Sequence, residues 1–511
     1  MDPLTITARE IRELLDAGRT TSVEVVKLFL DQIEKHNLNG MKIRAVISTP
    51  PKEQVLAYAQ ELDDERAVKG PRGPMHGIPI LVKDTMCTPS LGMDTTCGSY
   101  ALKGAKAFQD AEAIKKLLAA GMIILGKTNP SEWGNFKESL MTAGWSALGG
   151  QTLSPYVRGG VLPNATFLGH STPCGSSSGS GAGVAAGFAP LSIGTESDGS
   201  IVQPATRAAL FGMKATVGSI DDTGVHGVGP TFTSMGGLAK SPEDLANVMG
   251  ILMGGRDFSG FLSPSWEGVR IGFVDPALWQ PADFVVEPNE GFRKQSTAVI
   301  ERAIAKISAA GAKVEQPVPL ITLAEITADP SGAKEMEDLT NCISVRDVSP
   351  AFEKFLALFD NPAVRNVHDI VEFNRNHAEL ELPPEHPGQQ ALESALKSAN
   401  MTDDAYNHGL KLLRGTATAG IQKAFKDYGV DVIMGPADAR IASVAAAAGY
   451  PVATVPLGFA DFNGRAFGMN ILAGPGGEGE ILRVMSAWAV TFPEGRLPPP
   501  MLVNWQPTAN I

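Results

Sequence analysis

Cysteine is scarce in this chain of 511 residues, which has only Cys87, Cys97, Cys174 and Cys342. None forms a CxxC pair and no histidine stands at ligand spacing, so no metal site is expected and a reduced compartment fits. Positive charge is also short: 43 Lys and Arg face 55 Asp and Glu, a formal charge of −12. A chain of that sign suits neither phosphate backbones nor anionic membranes, so no nucleic-acid or membrane partner is expected. The N-terminal MDPLTITAREIRELLD lacks an apolar signal core, which predicts an unprocessed cytoplasmic protein. The segment closest to a membrane span, IASVAAAAGYPVATVPLGFA at 441–460, is interrupted by Gly449, Pro451, Pro456 and Gly458. It reads instead as a buried helix end, a turn and a core strand.

What is present is glycine (55), proline (36) and a hydrophobic content of 43%, which together predict a large core with many ordered loops. Thr21 and Glu24 form a capping box ahead of the helically spaced SVEVVKLFLDQIEKHN, so residues 1–65 read as helices. GIPILVKD (77–84) and MIILGKTN (122–129) read as buried strands around the helix DAEAIKKLLAAG. Continuous apolar strands alternating with helices predict an α/β layer covered on both faces. SLMTAGWSALGGQTLSPYV (139–157) reads as an ordered loop, and GVAAGFAPLSIGTESDGS as helix, strand and loop. FRKQSTAVIERAIAKISAAGAKVEQP reads as a long helix leading to a strand. Residues 66–255 form the expected core, 256–410 a charged, helical peripheral region, and 411–511 a return to the core through VDVIMGPA and VATVPLGF. With no repeat and no linker, one domain over 1–511 is expected.

The densest local signal is CGSSSGSGAG (174–183), with four serines and four glycines and no charge. GSSSG matches GxSxG with Ser177 as nucleophile, and GAGVAA matches a weak dinucleotide fingerprint, but both need a preceding strand and TFLGHSTPC is not one. The eight histidines mostly sit beside charged or turn residues, and only His76 and His170 lie near the interesting loops. Lys83 is different, because it ends the apolar run GIPILV. A salt bridge or a snorkelling side chain would explain it equally well. Alternatively, burial lowers its pKa and makes it a base near neutral pH. GTESDGS (194–200) reads either as a plain turn or as a nest of backbone N–H groups for an oxyanion.

Together GIPILVKD, KTNPSEWGNF (127–136), PCGSSSGS, IGTESDGSI, AGYPVATVPLGF and GRAFGMNILAG resemble the amidase signature family over nearly the whole chain, least in 256–410. SEWGNF, GWSALGGQT and PCGSSSGS look most like its peptide amidase branch. The resemblance implies a three-layer α/β/α sandwich around a large mixed β-sheet. It implies a Ser–Ser–Lys triad with Ser200 as nucleophile, Ser176 as bridging serine after a cis Gly175–Ser176 bond, and Lys83 as base. In that arrangement the N–H groups of Ser197, Asp198, Gly199 and Ser200 hold the oxyanion, Ser177, Ser178 and Ser180 support it, and no cofactor or metal is needed. Gly149, Gly150 and Gln151, with Ser176 and Trp133, are the expected substrate-side contacts, Trp133 reading equally as core.

Two departures stand out. Ile-Arg commonly follows the nucleophile in the family, whereas Ile201, Val202 and Gln203 follow Ser200 here, which argues against small acidic substrates. Asp198 stands where glycine is common, and its carboxylate must stay out of the nest to avoid repelling the oxyanion. The reading is an amidase for peptide or amino acid amides, a monomer or homodimer. Three alternatives stand beside it: the amidase component of a tRNA-dependent amidotransferase with a partner-dependent glutaminase, a nucleotide-binding oxidoreductase built on GAGVAA, and a binding protein that kept the fold without catalysis.

Overall fold

The computed structural model describes residues 1–138, 140–328, 335–397 and 402–506, with side chains omitted for 335–345. Fifteen strands run in chain order as β1 (Val46–Ser48), β2 (Pro79–Lys83), β3 (Lys106–Ala107), β4 (Ile123–Thr128), β5 (Trp145–Ser146), β6 (Gly150–Gln151), β7 (Leu191–Glu196), β8 (Phe211–Lys214), β9 (Ser234–Ala239), β10 (Arg270–Phe273), β11 (Lys313–Glu315), β12 (Phe359–Asp360), β13 (Val432–Pro436), β14 (Val452–Phe459) and β15 (Ala466–Ala473). Eleven of them make one sheet in the order β1-β4-β2-β7-β9-β8-β14-β15-β13-β10-β11. The sheet is mixed: β2 runs parallel to β4 and β7, while β7, β9, β8, β14, β15 and β13 pair antiparallel in turn. Every residue of β2, β4, β7, β8, β9, β13 and β15 is buried, so helices cover both faces. The result is the expected α/β/α sandwich.

The capping box at Thr21 and Glu24 opens the helix Ser22–His36, and a second one at Thr7 and Glu10 opens Ala8–Asp16. The short strand β1 interrupts the helical N-terminal stretch; at three residues it is too brief for a periodicity signal. The loop expected over 139–157 carries a small antiparallel ribbon, β5 with β6. The 256–410 stretch contributes β10 and β11 to the end of the main sheet, β10 pairing with β13. The 441–460 segment forms the helix Ile441–Ala448 and strand β14, and no helix among the described residues is long and apolar enough to cross a membrane.

Glycine allows the closest approaches in the sheet. A Cβ on Gly236 in β9 would stand 1.8 Å from the Met213 carbonyl oxygen of β8. Gly236→Ala is therefore expected to destabilise the protein by about 1–3 kcal/mol or more through overpacking, read as a lower thermal midpoint by calorimetry. An unchanged midpoint would show that β8 and β9 separate without cost.

Candidate active site

Lys83 is the last residue of β2 and its side chain is fully buried. Its Nζ lies 2.7 Å from Ser176 Oγ, 3.0 Å from Thr195 Oγ1 and 3.2 Å from the Thr195 carbonyl oxygen. Among the described residues no carboxylate pairs with it. The adjacent Asp84 instead meets the buried Lys127, Oδ1 to Nζ 3.0 Å, and also accepts from the amide and hydroxyl of Thr96. Burial without a paired anion brings the Lys83 amine down to about 7, with Cys97 and Glu196 opposing the shift. This geometry decides between the salt-bridge and the base readings of the lysine: the ion pair in GIPILVKD belongs to Asp84.

The serine cluster meets the end of β2 through the helix Ser178–Ala185 and the turn before it. The Gly175–Ser176 bond is cis. The Ser176 carbonyl accepts from Ser131 N at 3.0 Å, and Ser177 N donates to the Ser200 carbonyl at 3.0 Å, stitching the two serine loops together. The neighbouring hydroxyls hold the layer to the sheet: Ser177 Oγ donates to Thr195 O at 3.2 Å and Ser180 Oγ to Ile193 O at 3.1 Å. The cluster's glycines serve close packing inside the helix rather than tight turns. A Cβ on Gly179 would lie 2.2 Å from the Ala45 oxygen, and one on Gly181 2.7 Å from the Pro204 oxygen. With no strand before it, GAGVAA forms no phosphate-binding turn here.

Beyond β7 the chain turns sharply. The Glu196 carboxylate accepts from Ile201 N at 2.5 Å and Val202 N at 2.9 Å, and Gly199 takes a φ of +81° that favours glycine. Ser176, Thr195, Ser197, Asp198, Gly199 and Ser200 all line one cavity of about 220 Å³. Lys83 is not part of its wall, so Ser176 stands between the lysine and the cavity. Among the described residues, no acceptor takes the amides of Asp198, Gly199 or Ser200, and no hydrogen bond joins the Ser200 and Ser176 hydroxyls. The Asp198 carboxylate turns to Ser443 Oγ at 2.7 Å and Arg440 Nη2 at 2.8 Å.

Other expected contacts lie elsewhere. Gly149, Gly150 and Gln151 are outside the cavity wall; Gln151 Nε2 donates to the Ala143 oxygen at 3.1 Å, and Gly150 and Gln151 form β6. Trp133 is fully buried beside Phe352 and His226 in the core. Among the histidines only His226 lines the cavity. Burial pushes its pKa down to about 3, and no carboxylate or serine among the described residues bonds its ring, so a Ser-His-Asp arrangement has no candidate base. His170 is likewise pushed down to about 4 by burial and by Arg465 and Arg207. Sequence reasoning missed Thr195 and Glu196, which lie inside the quoted GTESDGS, and Arg440 and Ser443, which carry no local signal. Among the described residues, no group of three or more His, Cys, Asp or Glu could hold a metal ion.

The family model for amidases matches residues 24–482. The chain belongs to the amidase signature family. It is an amidohydrolase, as its relatives are named. A Schizosaccharomyces pombe protein named as an amidase is 30% identical, over 94% of this chain and 84% of its own length. The crystal structure of native peptide amidase from Stenotrophomonas maltophilia superposes with a TM-score of 0.83 at 30% identity, covering 96% of this amidase and 98% of that chain. The amidase component of the Symbiobacterium thermophilum glutamyl-tRNA(Gln) amidotransferase is 33% identical, but over only 61% of this amidase and 60% of its own length.

Proposed function

We propose that this amidase hydrolyses the terminal carboxamide of peptide or amino acid amides through an acyl-enzyme on Ser200. The observation that carries the reading is Lys83: a buried amine without a carboxylate among the described residues, bonded to Ser176 at the wall of the cavity that Ser200 shares. A neutral amine has two N–H groups and one lone pair. The N–H groups suit the carbonyl and hydroxyl of Thr195, and the lone pair is left for the Ser176 hydroxyl proton.

In the first half-reaction Ser200 Oγ bonds to the amide carbon. Its proton passes to Ser176, whose own proton passes to Lys83. The amides of Ser197, Asp198, Gly199 and Ser200 serve the oxyanion that forms, with the Asp198 carboxylate held away by Ser443 and Arg440. Lys83 then returns the proton through Ser176 to the nitrogen, the C–N bond breaks and ammonia leaves. Water attacks the ester by the same route and frees the acid. The cavity's Phe136, Phe167, Leu168 and Val228 suit an uncharged acyl side chain, and the likeness to a peptide amidase over nearly the full length supports the substrate class.

The test is ammonia release from a panel holding peptide amides, amino acid amides, aliphatic and aryl amides, and glutamine. Release from peptide or amino acid amides supports the proposal. Release from glutamine alone would replace it with the amidotransferase reading.

A further inference from the structure

A second cavity of about 260 Å³ lies beside the catalytic one, and Gly227 and Thr233 line both. The wall between them is one residue thick. Gly227 lies so close to Thr233 that a Cβ there would come within 2.6 Å of Thr233 Cγ2, and the Thr233 hydroxyl bonds to Ser197 Oγ at 2.8 Å. The second cavity is mostly apolar, with Val225, Pro230, Met235, Ala351, Phe355 and Leu358 in its wall. Asp222 and Lys354 stand at its exposed edge, leaving Asp347 as its buried charge.

Asp347 is only 8% exposed. One carboxylate oxygen accepts from the Tyr406 hydroxyl at 2.5 Å, while Oδ2 has no hydrogen-bond partner among the described residues. Neighbouring cations are engaged elsewhere: Arg346 pairs with Asp403 at 2.6 Å, and Arg414 donates to the carbonyls of Thr231, Ala446 and Ala447. Ser234 Oγ, also buried on this cavity, is likewise without a partner among the described residues. A buried carboxylate without a cation is costly unless a ligand supplies one. An apolar cavity with a few convergent polar groups is the usual form of a small-molecule subsite.

We propose that the second cavity is the distal subsite of a peptide amide, in which Asp347 holds an ammonium group of the acyl chain. This rests on the amidase reading of the first cavity and narrows its substrates to peptide amides longer than one residue. At roughly 3.3 Å per extended residue, a chain passes a wall one residue thick within about two residues. The scissile carboxamide then lies at Ser200 and the amino end beyond Gly227 and Thr233.

The experiment compares kcat/KM for Gly-Gly-Phe-NH2, its Nα-acetyl form and Nα-acetyl-Lys-Gly-Phe-NH2. The expected result is a preference of about tenfold or more, carried by KM, for a peptide with an ammonium over the acetylated Gly-Gly-Phe-NH2. Which of the two charged peptides wins tells an α-ammonium from a side-chain ammonium. Asp347→Asn keeps an acceptor for Tyr406 and should bring the ratio close to one. Ala351→Phe, which fills the cavity, should lower kcat/KM for Gly-Gly-Phe-NH2 more than for phenylalanine amide. Equal kinetics for all three peptides in the unaltered enzyme, or a preference that survives Asp347→Asn, overturns the subsite and leaves the amidase reading standing. Calorimetry with Ser200→Ala separates the two ideas further. If no peptide releases ammonia but Ser200→Ala binds the charged peptide and loses it on adding Asp347→Asn, the reaction is wrong and the subsite stands. If Ser200→Ala binds neither the charged nor the acetylated peptide, the subsite is overturned.

Discussion

Ser200→Ala is expected to remove ammonia release altogether, a loss of at least about 10⁴-fold in kcat, while substrate still binds. The reason is that all the covalent chemistry passes through one oxygen. Ser177 and Ser176 are beside it, but Ser177 Oγ is committed to the Thr195 carbonyl and Ser176 Oγ to Lys83. Neither can present a free hydroxyl at the position where the amides of Asp198, Gly199 and Ser200 converge. Removing a nucleophile leaves whatever the oxyanion site and binding supply, and in serine hydrolases that remainder is small beside the whole. Single-turnover measurements with a chromogenic amide would read the loss directly. A variant that still forms an acyl-enzyme would move the nucleophile to Ser176 and reverse the order of the relay.

Much of this arrangement is legible in the sequence, and the parts that are not have physical reasons. GIPILVKD and IGTESDGSI can be read because each combines a continuous apolar strand with one residue type that does not belong at its end: a lysine in one and a serine behind a glycine in the other. Their adjacency is a property of the sheet, where β2 lies parallel to β7 with Leu81 opposite Ser192. Sequence spacing cannot express that; here the family resemblance supplied the pairing. The clasp of Asp198 by Arg440 and Ser443 joins residues more than two hundred positions apart. Arg440 opens a helix in an otherwise uncharged stretch and gives no local sign of its partner. The 256–410 stretch is hard to read for another reason. Its two sheet strands, β10 and β11, are four and three residues long, too short for alternation to stand out from the helices around them. Gly149, Gly150 and Gln151 draw notice because a charge-free glycine pair looks like a ligand loop, and the structure gives them a ribbon instead.

The second large effect concerns Lys83. Lys83→Met should lower kcat/KM by about 10² to 10⁴, the usual range for a lost general base. The pH profile of the unaltered enzyme carries the sharper test. With the amine brought down to about 7 by burial, activity should rise with a slope of one as pH increases through that value, because only the neutral amine can accept the Ser176 proton. The same shift has a consequence for stability, and its sign follows from proton counting. Between the folded value near 7 and the ordinary lysine value of 10.5, the unfolded chain binds the proton and the folded chain does not. Unfolding therefore takes up a proton in that window, and this group's contribution to stability rises with pH until 10.5. Below about 7 its burial costs the fold most, which is what a functional base in a dry site implies. Lys83→Met removes the titration, so the variant's stability relative to the unaltered enzyme should be greatest near about pH 6. The difference should shrink steadily as the pH is raised. Denaturant unfolding of both proteins from about pH 6 to about pH 10 would read it, alongside the activity loss. A difference that stayed constant over that range would show that Lys83 is charged in the folded enzyme, and the base would have to be sought elsewhere.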